Sequence, residues 1–320
     1  MKEVYEDIKE AIMFLNKEKN SGHSFNKYST SFLFTTENQE GLSKILDYKD
    51  KNVWSVAASG DQYLASIYYG ARKVDLFDIN RFAYYITYLK IGAIMTLDYN
   101  EFLNFFVPVH NYNIEKSFWD YDILLKVLKV LPADVALFWK EVIFYITNMG
   151  KQFGNFVAPN NFYNSLMSVV RGMPFYNMRN EYLILKSKLL KMEFPSFNEV
   201  DIANIKSEID VKYDILYLSN IIECMVRNEL ERSYFMNLSL EDEIEKEKYK
   251  LVMEQVRHLL NKKGQILLGY RTNTRIEEAT DFLYHNDALE VRAISSKVLP
   301  YDELGFEAGD VDLVLTYKMR

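Results

Sequence analysis

Residues 53–80 read VWSVAASGDQYLASIYYGARKVDLFDIN. An apolar run, Val53 to Ala57, meets a cluster of small residues, Ala57, Ala58, Ser59 and Gly60, and the polar pair Asp61-Gln62 follows. A helical pattern then leads to Gly70 and to a second apolar run that closes on Asp78. The spacing predicts a strand over 53–57, a tight turn, a helix that Asp61 can cap, and a strand over 73–77.

This unit has two readings. In the first it holds a nucleoside. Small residues let backbone approach a ligand, and a helix start offers unpaired N–H groups. An acid ending the next strand can accept from both ribose hydroxyls, and Asp78 lies 18 residues after Gly60, close to the roughly 20 of a ribose acid. The turn lacks the three-glycine fingerprint that makes room for a pyrophosphate, which argues against NAD and for a smaller ligand such as S-adenosylmethionine. In the second reading the small residues only permit tight helix–strand packing, and Asp78 caps the next helix.

Working outward, residues 3–19 carry Val4, Ile8, Ile12 and Leu15 at helical spacing, and Thr36 with Gln39 reads as a capping box. After Asp78, RFAYYITYLKIGAI places Phe82, Tyr85, Ile86, Leu89 and Ala93 on one helix face. Connections in α/β units are a few residues long, yet roughly 95 residues of mostly helical pattern follow before the next strand signal. Residues 96–190 are therefore expected to be a helical insertion or cap. Its aromatic side chains can line a pocket, pack on the sheet or form an oligomer face. Strand patterns resume in MEFPSFNEVDI, ending at Asp201, and continue in KYDILYLSNII, QILLGYR, ALEVRAIS and DVDLVLTYKM. A charged helix is expected from Asp242 to Gly264 and another in RIEEATDFLYH. The last two strands have no helix pattern between them, which makes the final strand antiparallel.

The totals bound the function. The chain has 320 residues, 49% hydrophobic and 26% charged, with a net charge of −7. That composition is globular, and the acidic balance without a dense Lys/Arg run argues against nucleic acid as the main partner. The single cysteine, Cys224, excludes an intrachain disulfide and reads as a small buried residue rather than a nucleophile. The start, Met1-Lys2-Glu3 with acids through Glu10, is not a signal peptide. No run of about 18 uncharged apolar residues exists, so no transmembrane segment is expected and the cytoplasm is the default location. The four histidines, His23, His110, His258 and His285, are scattered, and no metal-ligand spacing is present. Tyr28 and Phe34 are open between a lid over a ligand and anchors of the core.

The run SVAASGDQYLASIYYGARKVDLFDINRFAYYITYLKIGAIMTLDYNEFLNFF resembles the S-adenosylmethionine:diacylglycerol 3-amino-3-carboxypropyltransferases of betaine-lipid synthesis and their bacterial relatives. The resemblance lies in Ala58-Ser59-Gly60-Asp61, in Asp78-Ile79-Asn80, in Leu89-Lys90 and in Tyr99 to Phe102. It implies a class I methyltransferase-like (Rossmann-like) α/β fold: a doubly wound seven-stranded sheet, mostly parallel with an antiparallel last strand, plus N-terminal helices and the helical insertion. The implied division is an N-terminal segment or lid (1–50), a cofactor-binding domain (51–95 and 191–320) and a cap (96–190).

The implied cofactor is S-adenosylmethionine. Ala58, Ser59, Gly60 and Asp61 would face its methionine part, Asp78 its ribose, and Ile79 with Asn80 would follow beside the adenine. Asp201 and Ile202 would lie at the adenine amino group, and Ser219 and Asn220 would flank the reacting centre. The implied reaction moves the 3-amino-3-carboxypropyl group to a small-molecule or lipid acceptor, or within the cofactor itself. A methyltransferase and a non-catalytic nucleoside-binding protein stay open as alternatives. No catalytic residue is assigned. Two departures bear on the acceptor: the family has proline after Asp-x-Asn where this chain has Arg81, and its aromatic-Glu-Asp segment before the first strand has only TTEN near its place.

Overall fold

The computed structural model describes residues 2–16, 26–29, 31–35, 37–106, 121–149, 157–158, 172–205, 211–232, 238–274, 289–295 and 311–318. They divide into two compact units. One comprises Met1–Thr35, Ala57–Tyr68 and Asn80–Phe194, and the other comprises Thr36–Val56, Tyr69–Ile79 and Pro195–Arg320. The helix expected in RIEEATDFLYH lies outside the described residues.

In chain order the elements are α1 (Lys2–Asn16), β1 (Ser31–Phe32), α2 (Gln39–Leu42), β2 (Asn52–Val56), α3 (Asp61–Tyr68), β3 (Lys73–Asp78), α4 (Arg81–Thr96), α5 (Tyr99–Phe106), α6 (Tyr121–Leu128), α7 (Ala133–Met149) and β4 (Val157–Ala158). There follow α8 (Pro174–Asn177), α9 (Arg179–Leu189), β5 (Phe197–Glu199), β6 (Tyr213–Tyr217), α10 (Ile221–Arg232), α11 (Leu238–Val256), β7 (Leu260–Thr274), β8 (Leu289–Ser295) and β9 (Val311–Lys318).

The second unit is built on a seven-stranded sheet of order β5-β3-β2-β6-β7-β9-β8. From β2 the chain winds outward through β3 to β5, then returns to the other side of β2 for β6 and β7. That reversal is the doubly wound topology. The pairs among β5, β3, β2, β6 and β7 are parallel, and β9 runs antiparallel between β7 and β8. The expected seven strands and antiparallel last strand are present. Val53 to Val56 are buried without alternation, as a central parallel strand requires. Trp54 stacks on Phe77 at 3.9 Å between ring centroids and on Tyr213 at 6.2 Å. Asp75, buried on β3, accepts hydrogen bonds from Ser196 Oγ at 2.5 Å, Lys73 Nζ at 2.7 Å and Tyr213 Oη at 3.1 Å.

Three expectations are corrected in this unit. The N-cap of α2 is Asn38, whose side chain accepts from Gly41 N at 2.9 Å; Thr36, expected there, lies outside the described residues. The charged helix stops at Val256, and β7 has begun by Leu260. The reason is a register shift: Tyr213 pairs with Leu260, but Ile215 pairs with Gln265. The polar residues Asn261 to Lys263 fill that irregularity and mimic a helix end in sequence. Cys224 is half-buried rather than buried, because Ile222 and Val226, two positions either side of it, take the inward face of α10.

In the first unit the buried face of α1 is Val4, Asp7, Ile8, Ala11 and Leu15, and it packs on α7. Asp7 is a charged residue on an apolar face, and its partners explain it. Its Oδ2 accepts from Tyr85 Oη at 2.5 Å and Arg81 at 2.8 Å, and its Oδ1 from Tyr28 Oη at 2.7 Å. Arg81 thus ties α4 to α1. Tyr28, half-buried, also lies 5.5 Å from the Phe82 ring, and Phe34 is buried in this unit's core 5.5 Å from the Tyr176 ring. The two-residue strands β1 and β4 pair in parallel; runs so short carry no periodicity to read.

Candidate functional site

Ligands of doubly wound sheets bind outside the carboxyl ends of the parallel strands, near the point where strand order reverses. In the sheet unit those ends carry Asp78, closing β3; Asp201 and Ile202, just past β5; and Ser219 and Asn220, just past β6. Asp78 and Ile79 are half-buried and Asn220 is exposed. The Asp201 carboxylate caps the short 3₁₀ turn Ile202–Asn204, accepting from Ala203 N at 3.0 Å and Asn204 Nδ2 at 2.8 Å.

Ser219 is buried and adopts φ +57, the left-handed region that L residues with a Cβ enter at a cost. Its hydroxyl donates to Glu37 Oε1 at 2.5 Å. The other oxygen, Oε2, accepts from Tyr217 Oη at 2.7 Å and Gln39 Nε2 at 3.1 Å. Gln39 Nε2 also donates to Tyr217 Oη at 2.9 Å. Burial first, and then the Glu37 charge, hold the Tyr217 phenol well above its ordinary range, so it stays a donor. The residues of this cluster are at most 6% exposed. Glu37 and Gln39 were not singled out for a site from the sequence. The only signal in the sequence is the polar stretch TTEN just before α2.

The small-residue turn belongs to the other unit. Ala58 and Gly60 have φ +44 and +83. A Cβ on Gly60 would lie 3.0 Å from Thr87 Cα, so glycine is required there both by backbone and by space. Ala58 O accepts from Ser31 Oγ at 3.2 Å. Asp61 is fully buried. Its Oδ1 accepts from Lys90 Nζ at 2.7 Å and Tyr176 Oη at 2.6 Å, and its Oδ2 from Thr35 N at 2.7 Å and Ser59 Oγ at 3.0 Å. Lys90, equally buried, also donates to Leu33 O at 2.5 Å and sits 4.5 Å from the Phe34 ring centroid. Burial lowers the Lys90 pKa while Asp61 opposes that shift; burial and then Asp61 raise that of Tyr176 well above the usual phenol value. Asp61 therefore binds four segments of its own unit together. Asn80, not Asp78, caps α4: its Oδ1 accepts from Phe82 N at 3.0 Å, and its Nδ2 donates to Ser29 O at 3.0 Å.

Among the described residues no cluster of His, Cys, Asp and Glu is arranged to hold a metal ion, and no helix is long and apolar enough to cross a membrane.

No protein-family model matches the chain, and no curated protein matches it in sequence. Solved structures do match. A ribosomal protein L11 methylase from Lactobacillus delbrueckii subsp. bulgaricus is similar at 9% identity and TM-score 0.36, over 88% of this chain and 77% of that one. An rRNA methylase from Streptococcus thermophilus is similar at 8% identity and TM-score 0.34, over 88% and 94%. The N-methyltransferase NodS of Bradyrhizobium japonicum, in complex with S-adenosyl-L-homocysteine, is similar at 10% identity and TM-score 0.22, over 44% and 63%. Likenesses this distant transfer no activity.

Proposed function

We propose that this chain is an S-adenosylmethionine-dependent transferase that moves the 3-amino-3-carboxypropyl group to a small-molecule or lipid acceptor, or within the cofactor itself. The observation that carries the cofactor reading is the carboxyl edge of the sheet. There β3 ends in Asp78, and Asp201 and Ser219 lie two residues past the ends of the parallel strands β5 and β6. A strained serine and a buried carboxylate, Glu37, meet at the same strand end. Functional sites are where such strain and buried charge collect. What supports the nucleoside reading at Asp78 is its place, a half-buried carboxylate at a strand end, and that Asn80 rather than Asp78 caps α4. Ile79, half-buried, offers apolar surface for a base, with Ile202 buried behind Asp201, which offers an acceptor for the amino group, and Asn220 offers an exposed amide beside Ser219. The resemblance alone assigns the turn Ala58 to Asp61 to the methionine part; the Asp61 carboxylate is occupied within its own unit.

The cofactor's sulfonium supplies the electrophile. The chain's task is to orient an acceptor and to exclude water. The choice of the aminocarboxypropyl group rests on the resemblance through Asp78-Ile79-Asn80 and Leu89-Lys90; methyl transfer from the same contacts is the second reading. The by-product separates them. Purified protein incubated with S-adenosylmethionine and a low-molecular-weight cell extract, beside a heat-killed control, is expected to release methylthioadenosine. A product heavier by one aminocarboxypropyl unit should match it. Stoichiometric S-adenosylhomocysteine would make the chain a methyltransferase. Tight binding without turnover would make it a binding protein.

A further inference from the structure

We propose that Ser219, anchored by Glu37, is a positioning residue: it holds the corner after β6 in the conformation that sets the exposed Asn220 amide against the sulfur-bearing end of the bound cofactor. The inference rests on the cofactor reading above. The path of the chain points to it. Leu218 still belongs to the sheet, its N–H donating to Leu267 O on β7 at 3.0 Å. Asn220 already belongs to the helix, its carbonyl accepting from Cys224 N of α10 at 3.0 Å. The chain therefore passes from strand to helix within one residue, Ser219, and φ +57 is the strain of that corner.

Glycine makes such a corner without a Cβ to strain. What serine adds is a hydroxyl, and that hydroxyl donates to Glu37 Oε1 at 2.5 Å, a charge-assisted bond of the strong kind. The same hydroxyl oxygen lies 3.3 Å from Asn220 Oδ1, the longer of the two contacts. Glu37 also accepts from Tyr217 Oη at 2.7 Å, and Tyr217 is the last residue of β6, so the corner is tied back to the strand it leaves. Ser219 is buried and Asn220, the next residue, is exposed. The buried side chain fixes the corner, and its exposed neighbour is what a ligand at the carboxyl edge meets. The place agrees, since β6 lies next to β2, where the strand order reverses.

The test is a double-mutant cycle on Ser219 and Asn220, read by calorimetric titration with two ligands: S-adenosylhomocysteine, and adenosine, which lacks the sulfur and the amino-acid arm. Asn220→Ala is expected to weaken S-adenosylhomocysteine about 2- to 10-fold, the loss of one hydrogen bond, and to leave adenosine unchanged. Ser219→Gly accepts the left-handed backbone and deletes only the hydroxyl, so the protein should fold, yet it is expected to weaken S-adenosylhomocysteine by a similar factor and again to spare adenosine. Ser219→Ala, which deletes the same hydroxyl and keeps the Cβ, should give the same pattern. In the double variant Ser219→Gly should add nothing to Asn220→Ala, as a residue that acts only through its neighbour must. Factors that multiply in the double variant would overturn the inference. So would wild-type affinity in Ser219→Gly, or an Asn220→Ala variant without effect. Equal weakening of both ligands by Ser219→Gly would reduce the serine to a structural support and overturn it too. Failure of the wild type to bind S-adenosylhomocysteine would instead remove the cofactor reading.

Discussion

Replacing Lys90 by methionine keeps an unbranched side chain one atom shorter and deletes its charge. Lys90 Nζ is 2.7 Å from Asp61 Oδ1 and 2.5 Å from Leu33 O, and both charged side chains are fully buried. The variant strands the Asp61 carboxylate among three neutral donors, Tyr176 Oη, Thr35 N and Ser59 Oγ. Removing one partner of a buried ion pair costs about 3–5 kcal/mol, because the remaining charge has no counter-charge in a medium of low dielectric. The three donors move the loss toward the lower end of that range, and the orphaned Leu33 carbonyl adds about 1 kcal/mol. A loss of about 3–5 kcal/mol is thus expected, a large share of the roughly 5–15 kcal/mol that holds a domain together. The diagnostic is the second substitution. Asp61→Asn keeps an acceptor for the neighbouring donors and removes the stranded charge, so Lys90→Met with Asp61→Asn should be more stable than Lys90→Met alone, by about 1–3 kcal/mol. Urea midpoints followed by far-ultraviolet circular dichroism, at low and high salt, measure both. High salt should leave the difference unchanged because the pair is buried. A Lys90→Met loss below about 1 kcal/mol, or a double variant less stable than the single one, would refute the reasoning.

Two further outcomes follow from the same contacts. Gly60→Ala forces φ +83 on a residue with a Cβ and sets that Cβ 3.0 Å from Thr87 Cα, so a loss of about 1–3 kcal/mol is expected in the urea midpoint; Thr87→Ala should not restore it, since the closest contact is backbone. Alkaline pH should destabilise the protein through Tyr85, Tyr176 and Tyr217, whose phenols are raised by burial and then by Asp7, Asp61 and Glu37 respectively. Groups with raised folded pKa values keep their stabilisation below the ordinary phenol value and lose it above, by about 1.4 kcal/mol per pH unit each beyond about pH 10. Lys90, lowered by burial, acts in the opposite sense and is spent by about pH 10.5. Urea midpoints and tyrosinate absorbance between about pH 9 and about pH 11 check the sign, and a flat midpoint across that window contradicts it.

The parts of the fold that were legible are those with a strong period or a continuous buried run. The strand over 53–57, the helix after it and the strand over 73–77 appear as β2, α3 and β3 with boundaries within a residue or two. Buried parallel strands show no alternation, and helix starts carry small polar residues, so local composition was enough. The bounds of β7 were not legible, because a bulged strand start filled by Asn261, Lys262 and Lys263 has the composition of a helix end. Nor could Asn38 be separated from Thr36 as a cap, since both are good caps and the choice depends on which backbone turns first.

The site residues show a different limit. Periodicity locates a carboxylate along the chain but says nothing of which neighbours reach its oxygens. Asp61 reads in sequence as a ligand-facing acid after a small-residue turn, yet Lys90, Tyr176, Thr35 and Ser59 take both of its oxygens. Three of these lie 26 or more positions away in sequence, where no window-based reading reaches. Glu37 is the reverse case. It sits in a polar stretch that reads as an ordinary loop, and Tyr217 and Ser219, 180 and 182 positions on, donate to it in a buried hydrogen-bonded cluster. Leu89-Lys90 illustrates the middle ground: the resemblance marks the lysine, and the structure supplies its physical reason, a buried cation that neutralises Asp61 and fixes the segment Leu33 to Thr35. A motif can therefore point at the right residue for a role other than the one expected of it, and it is the partner atoms, not the spacing, that separate an acid that faces a ligand from one that holds its own fold together.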